Sequence, residues 1–171
     1  MRAFVAPISD LNLSRTVQLI NKTNQFNLTT RRMTEAEVQA LVANDGFYTS
    51  TIRLDDRFGS NGLISVVIGR IVGDSLDIET WLMSCRVLKR GVEYLEMEQA
   101  LDFCRRRGLR SVVGRYLPTA KNKLVSGHYA ELGFVEIPGA AEGTSWRFDL
   151  QTTQFARTHF ITRGDDADRA R

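Results

Sequence analysis

Residues 122–134 read NKLVSGHYAELGF, and the fold turns on how they are taken. Apolar residues at helical spacing predict a helix over 121–132. Gly133 supplies the left-handed residue that ends one, and Phe134 opens a strand over 134–137. On a 3.6-residue period, positions seven apart return to one face, so Asn122 and Tyr129 are expected together on that helix. His128 projects from another face and His159 lies far along the chain. The two histidines therefore complete neither a catalytic triad nor a metal site, and no metal is expected.

Working back from that stretch, 111–117 is β-branched enough for a strand. A helix opens before it at Gly91, with Tyr94, Met97, Leu101 and Cys104 on one stripe and Gly108 as the stop. Glu93, Glu96 and Glu98 fall in its first half and Arg105, Arg106 and Arg107 in its last turn, which complements the helix dipole. Three extended runs come earlier still: FYTSTIRL, LISVVIGRIV and LDIETWLMS, parted by RFGSNG and GDS. They predict three antiparallel strands. Thr34 and Glu37 have the spacing of a capping box, and Val38, Leu41 and Val42 give that helix an apolar side. Residues 21–32 (NKTNQFNLTTRR) show neither period and read as a loop. Leu13, Val17 and Ile20 mark a first helix, and 1–7 a first strand. Beyond 134–137, a closing strand is expected at 146–150.

The order is thus strand, two helices, three strands, helix, strand, helix, two strands. It predicts an α/β (α+β) domain over 1–150, with a mixed, mostly antiparallel twisted sheet of about seven strands flanked by about four helices. Residues 151–171 are polar and expected to form a flexible tail.

With 171 residues, 43% hydrophobic and 25% charged, the chain buries a core without disulfides or metal. No run approaches the roughly 20 apolar residues of a membrane span, and no secretory leader is visible. A cytoplasmic protein with no membrane partner is expected, with Cys85 and Cys104 as free thiols. The net charge of +3 and pI near 9.1 come from charges of mixed sign, without the motif of a nucleic-acid module, so no nucleic-acid partner is expected. Clustered arginines fit a small anion or an acidic carrier protein, and equally a solvated surface.

The element order, together with Asn122, Val125, Tyr129, Gly133 and Phe134, resembles the late motif of the GNAT acyltransferases. The resemblance implies acetyl coenzyme A or coenzyme A as cofactor, and Tyr129 as the acid that protonates the departing thiolate. Tyr129 is otherwise a tyrosine packing its helix on the sheet. GNAT proteins hold the coenzyme pyrophosphate on a Gln/Arg-x-x-Gly-x-Gly/Ala turn at a helix start, where backbone amides meet the anion. That implies contacts from Met83, Ser84, Arg86, Lys89, Arg90, Gly91, Val92 and Asn122. The pattern is broken here: counted from Arg86, Lys89 stands at the first glycine, and counted from Gly91, Leu88 and Glu93 are mismatches. The ammonium of Lys89 suits a phosphate, while Glu93 repels one.

Three strings, TNQFNLTTRRMTEAEV (23–38), MSCRVLKRGVE (83–93) and PTAKN (118–122) followed by HYAELGF (128–134), are similar to the carboxy-terminal GNAT-like region of FkbH-like proteins. The similarity runs over about 17–134. It implies the phosphopantetheine arm of an acyl carrier protein as an alternative to coenzyme A, a three-carbon acyl unit, polyketide biosynthesis as the setting, and a phosphatase-like partner domain. In the GNAT arrangement the loop with Asn24, Gln25, Phe26, Asn27, Thr29, Thr30, Arg31 and Arg32 faces the acceptor. Its amides and hydroxyls suit acceptor hydroxyls, and its arginines a phosphate or carboxylate. The plainer expectation is a loop held by its own side-chain bonds.

Cys85 ends the strand against which a pantetheine arm would lie, beside Arg86 and near a helix start, a setting that favours a thiolate. It is a candidate to accept the acyl group in passing. Cys104, on the core stripe, is expected to be packing. Asp77 and Glu79 alternate on one strand face, and Glu79 is a candidate base acting through water. Two functions remain open. One is an acyltransferase serving small-molecule donors and acceptors. The other is a module without chemistry that docks an acyl carrier protein for a separate phosphatase-like enzyme.

Overall fold

The computed structural model describes residues 1–164. Its elements are β1 (Arg2–Ala6), α1 (Leu13–Lys22), α2 (Glu35–Val42), β2 (Phe47–Asp56), β3 (Gly59–Val72), β4 (Ser75–Met83), α3 (Val92–Arg107), β5 (Ser111–Tyr116), α4 (His128–Glu131), β6 (Val135–Ile137), β7 (Thr144–Asp149) and β8 (Thr162–Arg163). One mixed sheet runs β6-β7-β5-β4-β3-β2-β1-β8. β4 and β5 pair in parallel, as do β1 and β8, and the other pairs are antiparallel.

The local signals act as expected. Thr34 Oγ1 accepts the Glu37 amide while the Glu37 carboxylate accepts the Thr34 amide at 2.7 Å, closing the capping box of α2. Gly91 (φ 81°) and Gly108 (φ 67°) bound α3 in left-handed conformations that a side chain strains to adopt. α3 lays Val92, Leu95, Met97, Ala100, Leu101 and Cys104 on one face of the sheet; α1 and α2 cover the other with Leu13, Ile20 and Val38. Burying these two layers is the main stabilisation of the domain.

One expectation is corrected and two features are added. The helix over 121–132 is a 3₁₀ turn, Lys123–Val125, followed by the single turn of α4. Asn122 lies outside any helix, because its side chain bonds backbone groups that a helix would leave to others. It therefore shares no helix face with Tyr129. Within the expected tail, Ile161 is buried and Thr162–Arg163 forms an eighth strand on β1. The rest of that expected tail, 165–171, lies outside the described residues. Finally, Glu96 is wholly buried among the apolar residues of α3.

β4 carries a bulge that positions everything below. Ile68 faces Thr80 but Gly69 faces Ile78, so Glu79 has no partner on β3. Its pairing with β5 stops beside the bulge, at Ile78 and Gly114. Beyond that point the two parallel strands part.

Candidate functional site

The gap between the parted strands is filled by the chain itself. Segment 26–28 lies in it as a short extended piece, with Asn27 bridged antiparallel to Leu82. Leu28 N donates to Trp81 O at 3.1 Å, Met83 N to Phe26 O at 3.0 Å, and Leu117 N to Leu28 O at 2.8 Å. Asn122 locks the arrangement: its Nδ2 donates to Asn27 O and to Leu117 O, both at 2.9 Å, and its Oδ1 accepts the Thr119 amide at 2.7 Å. Asn27 Oδ1 in turn accepts the Thr30 amide, and its Nδ2 donates to Thr23 O. Phe26, Asn27 and Leu28 are all buried.

Three recesses surround this segment. On the α1/α2 face, one of about 300 Å³ is lined by Thr29, Arg31, Arg70, Asp77, Glu79 and Arg115 among others. Glu79 is held by Arg31 at 2.8 Å and by Arg70 at 3.2 Å, one oxygen to each, which leaves it an anchor for cations rather than a free base. Asp77 accepts from Ser75 at 2.8 Å. A second recess, about 720 Å³, holds exposed Cys85 with Asn24, Gln25, Phe26 and Met83. A third, about 100 Å³, lies between α3 and α4 and is lined by Phe26, Lys89, Glu93, His128 and Glu131 among others. Phe26 is a wall of both the second and the third. The polar loop is thus divided: Thr29 and Arg31 face the first recess, Asn24 and Gln25 the second, and Arg32 instead binds the Thr23 carbonyl at 3.1 Å at the end of α1.

Behind the segment lies a group of buried rings. His128 stands 4.5 Å from Trp81, 5.4 Å from Tyr129 and 5.1 Å from Phe26, centroid to centroid. Trp81 Nε1, His128 Nε2 and the Tyr129 hydroxyl are all buried without a hydrogen-bond partner of regular geometry. Tyr129 lies over β5 where Gly114 leaves room; a Cβ there would come within 2.1 Å of Tyr129 Cζ. Burial raises the Tyr129 phenol well above its usual range, with the Arg115 backbone offsetting a little, so the phenol keeps its proton. Burial lowers His128 to about 3, leaving it neutral. Sequence reasoning missed Trp81, Arg70 and Arg115, and set His128 aside. Only register across β3, β4 and β5 brings the first three to the gap.

The start of α3 can be tested directly as a cradle for coenzyme A. Lys89 has φ 59°, so it keeps the backbone a glycine would adopt at that place. Arg90 is engaged with Asp56 at 3.0 Å, while Arg86 and Lys89 are exposed. Val92 is fully buried, and a Cβ on Gly91 would meet His159 Cβ at 2.9 Å, so the carboxy-terminal segment packs against the helix start. Burial, and then the charge of Glu131, raise the Glu93 carboxyl, which its own backbone amide partly offsets. Glu93 and Glu131 both line the third recess beside Lys89, and segment 26–28 engages the amide of Met83 and the carbonyl of Trp81.

No protein-family model and no curated protein matches the sequence. Solved structures do. The ribosomal-protein alanine N-acetyltransferase of Escherichia coli superposes with a TM-score of 0.65 at 11% identity, over 91% of this chain and 99% of that one. The GNAT domain of S. lividans PAT gives 0.67 at 18%, over 85% and 89%. The PaiA N-acetyltransferase of Thermoplasma acidophilum, solved with coenzyme A, gives 0.63 at 9%, over 87% and 99%. The chain has the GNAT fold, with eight strands where seven were expected.

Proposed function

We propose that this GNAT-fold chain is an acyltransferase that handles an acyl group on a pantetheine thiol and passes it to a small acceptor in the recess of Arg31, Arg70 and Arg115. The observation that carries this reading is two-sidedness at one point. An acceptor-sized polar recess on the α1/α2 face and the donors Trp81 and Tyr129 on the α3/α4 face flank the place where β4 and β5 part. Tyr129 is its proton donor, as the phenol stays protonated at neutral pH. Cys85 is a candidate acyl relay from the neighbouring recess. Glu79 serves by holding Arg31 and Arg70.

The acidic start of α3 favours the arm of an acyl carrier protein over coenzyme A, since the arm brings one phosphodiester in place of a diphosphate. The FkbH-like resemblance points the same way, toward a three-carbon unit and a phosphatase-like partner. A second reading, a carrier-docking module without chemistry, is favoured by the filled gap between β4 and β5.

The two are separated by measuring free-thiol release from acetyl coenzyme A and from an acyl-loaded carrier protein, with amines and polyols as acceptors. The enzyme reading expects release that falls at least tenfold in Tyr129→Phe. Carrier binding in calorimetry without release from either donor would establish the docking module instead.

A further inference from the structure

We infer that segment 26–28 is a built-in occupant of the donor slot, withdrawn when the diamide arm of a pantetheine enters, so that the site is regulated by its own polypeptide. The inference rests on the acyl-handling reading of the preceding section. The segment binds β4 as an extended amide ligand would: it accepts from Met83 N and donates to Trp81 O, one acceptor and one donor. An arm carrying two amides replaces those bonds like for like, so the exchange leaves no β4 group orphaned.

Three observations distinguish a displaceable occupant from a ninth strand. First, the segment leaves buried polar groups unserved. Trp81 Nε1 and His128 Nε2 have no partner, and Tyr129 OH only the poorly aligned Arg115 backbone, while the Phe26 ring sits 5.1 Å from His128. Native interiors rarely leave such groups unpaired, and a thioester carbonyl or thiol would serve them where a phenyl ring does not. Second, the segment ends at Thr30 with φ 53°, a left-handed conformation that is strained for a β-branched residue. Its exit is held under tension. Third, Phe26 is the wall between the recess of Cys85 and Met83 and that of His128 and Lys89. Withdrawing it joins the two into one passage along β4.

The test is hydrogen exchange of the full chain with and without pantetheine, alongside calorimetry on wild type, Phe26→Ala and Asn27→Gly. Displacement predicts a crossed pattern: the Leu28 amide loses protection on adding pantetheine while the Met83 amide keeps it, its acceptor now being the ligand. Both variants should bind pantetheine at least tenfold more tightly than wild type, and circular dichroism identifies a variant that fails to fold. Binding to wild type with Leu28 protection unchanged overturns the inference but leaves thiol release untouched. No tighter binding in whichever variant folds also overturns it. Absence of thiol release with the crossed exchange pattern would sink the acyltransferase and keep the occupant.

Discussion

Glu96 offers the sharpest quantitative test of the fold. It is wholly buried in α3 against the sheet, where Ser50 Oγ donates to Oε2 at 2.7 Å and Oε1 has no partner of regular geometry. Desolvation raises its carboxyl from 4.5 to about 7, with the Ser65 and Ser50 hydroxyls opposing. The folded state thus holds this proton more tightly than the unfolded chain. The stabilisation is complete below pH 4.5 and is lost as pH rises to about 7, with no further loss above. At about 1.4 kcal/mol per tenfold in proton affinity, the loss is on the order of 3 kcal/mol. Glu96→Gln removes the titration and keeps the shape. Urea unfolding of both proteins at pH 4.5, 6, 7 and 8 should therefore show wild type falling behind the variant by about 3 kcal/mol across that range, the difference cancelling every other titrating group. In a chain of this length that corresponds to roughly 6–12 °C in Tm. A wild-type-minus-variant difference that stays flat with pH within about 0.5 kcal/mol would refute the claim that a desolvated carboxyl sits there.

Two other substitutions probe the site's framework. Gly114→Ala places a methyl 2.1 Å from Tyr129 Cζ and should cost about 3 kcal/mol in urea unfolding, or expel the phenol, which second-derivative tyrosine absorbance would report. Lys89→Gly relieves a left-handed side-chain conformation and should raise stability by up to about 1 kcal/mol; a clear loss in thermal unfolding would mean that the lysine makes a compensating contact.

Much of this architecture is legible in the amino-acid order wherever the cause is local. Thr34 with Glu37 marks a helix start, and Gly91 and Gly108 bracket α3 because both ends need a left-handed residue. The helix over 121–132 misleads because its apolar spacing is real, yet Asn122 finds better partners in Leu117 and Asn27, the latter almost a hundred positions away in sequence. Glu96 hides in an acidic run, although Val92, Ala100 and Cys104, four-residue steps along the same row, mark its side as buried. The loop reads as polar throughout; the alternation of Phe26 and Leu28 about Asn27 is the one hint that it enters the sheet. Arg70 and Arg115 meet through strand register alone, for which the sequence holds no local signal.

The parallel pairing of β8 with β1 brings the two described ends of the chain together. Thr162 N bonds Met1 O at 3.0 Å, and Gly164 N bonds Ala3 O at 2.9 Å. Met1 and Gly164 therefore lie on the same rim of the molecule. That rim is four strand spacings, about 19 Å, from β4. Tethering the protein through a side chain on this rim should leave the parted strands facing free solution.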